Sequence, residues 1–150
     1  MAVDFNAVAQ AVAARFSSAN VTAPSGETNV RYASEQLPQQ IGPTPAVLVY
    51  PPEVELHYTA GTRTGTLTFP VRWYVYRVKD QPRNATLILK WLGALYAQMD
   101  GQVHLGLPNY VAYGVVSALQ PGLLNYAGED FEGIELTVTV PIYEALTPTA

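Results

Sequence analysis

The chain has no cysteine, which excludes disulfides and thiolate metal sites outright. Charge is scarce as well: Asp, Glu, Lys and Arg make up 13% of its 150 residues, about half the usual share of roughly 25%. No stretch approaches the roughly 18 apolar residues that a bilayer-crossing helix requires. Met1 to Phe16 carries neither a basic leader nor a signal-type apolar block, so secretion is not expected. Histidine occurs only at His57 and His104. Most informative is the distribution of bases, because no lysine or arginine follows Lys90.

Between Ala60 and Asp100 stand six bases, Arg63, Arg72, Arg77, Lys79, Arg83 and Lys90, against Asp80 and Asp100. From Gly101 onward there are five acids, Glu129, Asp130, Glu132, Glu135 and Glu144, and no base. A net charge of −4 conceals this polarity and gives no global field to attract nucleic acid. A chain with one basic and one acidic segment can meet copies of itself head to tail. The candidate seam sets Arg72, Arg77, Lys79 or Arg83 of one copy against Glu129, Asp130, Glu132 or Glu135 of the next. Strict alternation limits it, since Arg72 and Arg77 would point to opposite faces of one strand.

Apolar residues make up 49% of the chain, which argues for a compact core. At this length a single domain spanning residues 1–150 would bury roughly two-thirds of its unfolded surface. Ten tyrosines suit surfaces that are apolar at one end and wet at the other. Phe5, Val8, Ala9, Val12 and Phe16 recur at steps of three and four and predict a helix over Phe5–Phe16, with Asp4 as its N-cap. Residues 19–45 read as an irregular excursion, with a short strand near Val30–Ala33. Ala46–Tyr58 reads as a strand interrupted by Pro51-Pro52. A glycine-bearing hairpin tip, Thr59–Gly65, leads into the strongest strand, Thr66–Val78. There Leu67, Phe69, Val71, Trp73 and Val75 line a core face, while Thr66, Thr68, Arg72, Tyr74 and Tyr76 line a polar-aromatic face that is wet or meets a partner.

A second helix is expected over Pro82–Met99, with Pro82 in its first turn, Ile88, Trp91, Leu92, Leu95 and Met99 buried, and Gly101 as its stop. Tyr110–Leu119 reads as a strand and Gln120–Gly133 as an acidic, glycine-bearing loop. Ile134–Ile142 alternates as a closing strand whose Pro141 places it at an edge or near its end. Residues 147–150 read as a loose tail. The expected fold is α+β: an antiparallel or mixed sheet with a long hairpin, packed against two main helices.

Catalytic patterns are not evident. Nucleophilic catalysis needs an activated Ser, Thr or Cys beside a base, and no serine stands in a Gly-x-Ser-x-Gly elbow. His57 reads as a strand-end residue and His104 as a loop residue. Glu129, Asp130 and Glu132 do not follow the alternating oxygen pattern of a calcium loop. Glu53 and Glu55, two apart on one strand, share a face that reads as solvent. Arg63, Arg72, Arg77, Lys79 and Arg83 among Trp73, Tyr74 and Tyr76 imitate a base-stacking sheet, but the overall acidity opposes phosphate. The expectation is therefore no enzyme, cofactor or metal.

The whole layout carries a resemblance: opening helix Phe5–Phe16, proline-bearing excursion, hairpin Val54–Val78, helix Pro82–Met99 and closing strand Ile134–Ile142. It resembles the tail-terminator and neck proteins of long-tailed bacteriophages. That family implies a virion protein assembled in the host cytoplasm as a homohexameric ring. The ring would cap the tail tube, stop its polymerisation and meet the head connector, with no membrane partner and at most passive contact with passing DNA. Within that resemblance, the hairpin tip (Gly61, Thr62, Arg63, Thr64, Gly65) and the excursion are the candidate contacts to tube or connector. The alternatives are a head-closure or minor tail component or, from another class, a small ligand-binding domain or enzyme with a pocket under the tyrosine-rich sheet face.

Overall fold

The computed structural model describes residues 4–17, 21–98, 102–104 and 113–145. Its elements run α1 (Phe5–Arg15), β1 (Tyr32–Ser34), β2 (Ala46–Val49), β3 (Glu53–Thr59), β4 (Thr62–Arg77), α2 (Ala85–Gln98), β5 (Gln102–His104), β6 (Tyr113–Tyr126) and β7 (Glu129–Ala145). The Asp4 carboxylate caps α1 by accepting from the Ala7 N–H at 3.1 Å, which satisfies one amide of the first turn. Val8, Val12 and Phe16 are fully buried, whereas Phe5 is 45% exposed, so the buried stripe starts one turn later than its periodicity suggests. Helix α2 starts after Pro82 rather than on it. The Asn84 side chain accepts from the Leu87 N–H at 3.1 Å, and the Asn84 N–H donates to the Tyr76 hydroxyl at 2.7 Å. Ile88, Trp91 and Leu95 are buried as expected; Met99 and Gly101 lie outside the described residues.

The strands form one mixed sheet in the order β1-β2-β4-β7-β6-β5, with β3 also paired to β4. Among the described residues, only β1 and β2 pair in parallel. With both helices included, the fold is α+β. Strands β2 and β3 lie on the same side of β4, one opposite Val71–Tyr74 and the other opposite Thr62–Thr68; Pro51-Pro52 separates them. Pro70 sits in β4 without breaking it because its carbonyl accepts from the Tyr50 N–H at 2.9 Å. Its nitrogen faces the same side, toward that break, where no ladder bond is lost.

Several sequence expectations shift. The short strand lies at Tyr32–Ser34 instead of Val30–Ala33, and His104 belongs to β5 instead of a loop. Gln120–Gly133 is not a loop: β6 runs through Tyr126, and β7 begins at Glu129. The turn between them is Ala127-Gly128, both at positive φ (51° and 81°), as a twist-matched two-residue hairpin requires. Strand β7 is central, not an edge; Pro141 pairs with Thr66 of β4 but lies beyond the last pair with β6, Val115–Thr139. It is one-sided there, which is where a proline is tolerated. Tyr110 and residues 147–150 lie outside the described residues.

Both helices cover the same sheet face. There Val8, Val12, Phe16, Trp91 and Leu95 pack on Leu67, Phe69, Val71, Trp73 and the even-numbered residues Ile134–Ile142. Trp73 is the hub, edge-on to Phe16 (centroids 6.1 Å apart) and tilted against Trp91 (5.4 Å). The opposite face of β4 is not wholly wet. Tyr74, Leu48, Ile41 and Phe131 form a second buried cluster, with Tyr50 and Tyr126 at its margin. Part of the excursion thus folds back over the tyrosines. The register of β4 on β7 slips between Tyr74 and Tyr76. This bulge turns Tyr76 from the tyrosine face into the main core and brings Arg77 onto the face that holds Arg72.

Candidate functional site

The bulge decides where the charges go. Arg72 lies opposite Glu135 and Arg77 opposite Phe131, so strict alternation misplaced Arg77. Arg72 meets Glu135 at 3.4 Å, and Arg77 and Lys79 meet Glu129 at 3.1 and 2.8 Å. Arg77 also lies over the Phe131 ring, 5.2 Å from its centroid, and donates to the carbonyls of Ile41 and Gly42. Hydrogen bonds from Lys79 and then Arg77 hold the Glu129 carboxyl below the usual carboxylate range. Asp130 accepts from the Asn125 side chain at 3.0 Å, across the hairpin. The basic and acidic segments therefore complement each other within one chain. Pairings expected between copies are made within the chain, from β4 and the residues just after it to β7.

Arg83 and Glu132 differ from the rest. Glu132 is on the core face of β7 and is only 4% exposed; its carboxylate pairs with the Arg83 guanidinium just ahead of α2. The hydrogen bond to Glu132 pushes the Arg83 pKa up. A cavity of about 460 Å³ opens beside this pair, lined by Ala85, Ile88, Leu89, Pro121 and Gly122. It is an apolar hollow with one ion pair at its wall. Gly133, next in β7, has no room for a side chain, because a Cβ would run into the Trp73 carbonyl oxygen.

At the opposite end of the sheet, β3 and β4 form a hairpin with Ala60-Gly61 at its turn and Gly61 at φ 75°. All seven residues of β3 are exposed. Val54, Leu56 and Tyr58 (40%, 40% and 63% exposed) continue the core face of the sheet. Among the described residues, neither helix packs extensively against β3. Of the five candidate tip residues, Gly61 is at the turn, Thr62, Arg63 and Thr64 follow it in β4, and Gly65 is buried. A Cβ on Gly65 would press on Ile142 and Leu56 at 3.0 Å, so Gly65 is a packing position under Leu56. Glu53 and Glu55 do share a face, opposite Thr68 and Thr66. The His57 imidazole is 3.0 Å from the Glu55 carboxylate. Among the described residues, no group of three or more His, Asp or Glu could hold a metal ion.

Tyr74 and Tyr50 share a 2.7 Å hydrogen bond, and burial foremost, with that bond, raises the Tyr74 pKa well above the usual tyrosine value. The Tyr126 hydroxyl donates to the Pro38 carbonyl. The space where a pocket was considered, under the tyrosine face, is thus occupied by Ile41, Leu48 and Phe131. Sequence reasoning missed Val54, Leu56 and Tyr58 as a surface. Their signal was an alternating apolar set just after the Pro51-Pro52 interruption. No protein-family model matches the chain, and no curated protein matches it at a significant level.

Proposed function

We propose that the protein is a structural component of a long-tailed phage virion, a subunit of a homo-oligomeric, hexameric ring. The ring caps the tail tube, ends its polymerisation and joins tail to head connector, and it uses no cofactor. The observation that carries this reading is the β3–β4 hairpin, exposed along the whole of β3 with Val54, Leu56 and Tyr58 presented to solvent. An exposed apolar stripe on a strand edge suits contact with other chains. The tip Gly61–Thr64 then reaches tube or connector. The ring seam draws on apolar and tyrosine surface more than on Arg72, Arg77 or Lys79, since those cations already have intrachain partners.

Electron microscopy of the purified protein, alone and mixed with tail tubes, tests the reading. Rings of sixfold symmetry on the tube end are expected, and particles without the protein should carry abnormally long tails. A protein that stays monomeric and binds no tube would overturn it, and normal tails on leaking heads would assign head closure instead. The cavity beside Arg83 and Glu132 favours a second reading, a small ligand-binding domain. An amphipathic ligand that protects Leu89 and Ile88 amides from exchange, with no ring formed, would support that alternative.

A further inference from the structure

Strand β3 is an open sheet edge. Its inner side pairs with β4 from Glu53–Thr68 to Thr59–Thr62, and among the described residues no other strand pairs with it. Its outer side therefore presents a row of backbone donors and acceptors that an extended segment can complete. Natural edges are usually blunted by shortness, proline or inward charge; β3 is seven residues long, exposed throughout, and carries Val54, Leu56 and Tyr58 on one face.

We infer that the outer edge of β3 pairs antiparallel with β3 of a second copy, in a register centred on Leu56. The segment Glu-Val-Glu-Leu-His-Tyr-Thr (53–59) is complementary to itself when reversed about its middle residue. In that register Leu56 faces Leu56, Val54 faces Tyr58, and Glu53 faces Thr59. Each Glu55 faces His57 of the second copy, so a carboxylate meets an imidazole twice. Glu55 and His57 already bond within one strand at 3.0 Å, and the dimer gathers the four groups into one cluster on the polar face. Cross-strand apolar and acceptor–donor pairs of this kind stabilise a sheet, whereas like charges directly opposite destabilise it.

Neighbouring registers fail on the same grounds. Centring on Glu55 sets two carboxylates against each other, and centring on Val54 sets Glu53 against Glu55. Centring on His57 leaves each Glu55 opposite Thr59. A one-residue slip turns the apolar face of one strand against the polar face of the other. The self-complementary register is the reason to name a second copy as occupant rather than an unrelated strand. The twofold seam closes at two copies and cannot propagate. It is therefore distinct from the head-to-tail contacts of a ring and does not depend on them. With so small a seam, the dimer is weak and concentration-dependent.

The absence of cysteine makes the test direct. Residues directly opposite in antiparallel strands have Cα atoms about 4.5–5.5 Å apart, within disulfide range. Under mild oxidation, Leu56→Cys should cross-link into a two-chain species about tenfold faster than Leu89→Cys, an exposed control on α2, because the seam raises the local concentration. Sedimentation of the unmodified chain up to the millimolar range should show a monomer–dimer equilibrium. That equilibrium should be lost in Glu55→Lys and recovered in the double variant Glu55→Lys/His57→Glu, which restores opposite charge in the same register. Far-UV circular dichroism would confirm that each variant is folded. Equal cross-linking rates at positions 56 and 89 overturn the proposal, whether the chain is then monomeric or forms rings. Failure of the double variant to recover the dimer overturns the register.

Discussion

At one end of the β4–β7 ribbon, both faces of the sheet are covered: Tyr76 and Trp73 lie under the helices, Tyr74 and Phe131 under the returning excursion, and Arg72, Arg77, Lys79 and Arg83 are tied to acids on β7. At the other end, β3 is exposed along its whole length, and among the described residues neither helix packs extensively against it. The same two strands run through both ends, so strand-forming tendency does not separate them. What separates them is which other elements return to cover the sheet. The covered end stabilises the fold. In the readings proposed above, the uncovered end meets other chains, so changes in the two regions should be felt in different measurements.

The largest effect is expected at the hub of the covered end. Trp73→Ala should cost about 3–5 kcal/mol in denaturant unfolding, because Phe16 and Trp91 lose the surface they pack on. A smaller loss would mean that the helices close over the gap. Next is the buried acid beside the cavity. Arg83→Ala leaves the Glu132 carboxyl without its partner and should lower stability by less than Trp73→Ala, because Arg83 is itself well exposed. The companion Glu132→Gln should recover part of that loss, which distinguishes a stranded carboxylate from lost arginine packing.

Ala127 tests the turn of the β6–β7 hairpin. A non-glycine residue at φ 51° pays a left-handed backbone penalty that asparagine tolerates better. Ala127→Asn is therefore expected to stabilise by up to about 1 kcal/mol in thermal unfolding. The Glu129 cluster should reveal itself in acid. Its carboxyl pKa lies below the ordinary value in the folded chain, so its contribution is complete above that ordinary value. It fades as pH falls through the lower folded value. Glu129→Gln should flatten stability against pH in that acid window, so that the variant is the less stable of the two near neutrality and converges on the parent in acid. Smallest of all is the effect of the open edge on folding itself. Tyr58→Ser should alter unfolding free energy by no more than about 0.5 kcal/mol, while self-association measured by sedimentation falls. A large folding loss there would show that the hairpin belongs to the stabilising body after all.

Much of the local structure was legible. The stripe Val8, Val12, Phe16 and the stripe Ile88, Trp91, Leu95 mark the buried helix faces through spacing alone, and alternation from Leu67 to Trp73 fixes the core face of β4. The Gln120–Gly133 segment was not legible as strand, because three glycines and a run of acids look like a loop. Gly133 is there because the Trp73 backbone crosses too closely for a side chain, a reason that exists only between strands. The sequence separates the basic segment from the acidic one but does not contain the distance between Arg77 and Glu129, 52 positions apart, which the fold brings together within one chain.

Spacing, capping and alternation are short-range, so residues within a turn or two of one another were enough to set the helices, the main strands and their apolar faces. Long-range decisions needed the assembled sheet. The bulge between Tyr74 and Tyr76 flips one tyrosine into the core and moves one arginine onto its partners' face. The antiparallel pairing of β4 with β7 then joins the basic segment to the acidic one inside a single chain. Glu132 is buried and β3 left bare for the same reason: an element's exposure depends on what packs over it, and neighbours far away in the sequence supply that cover.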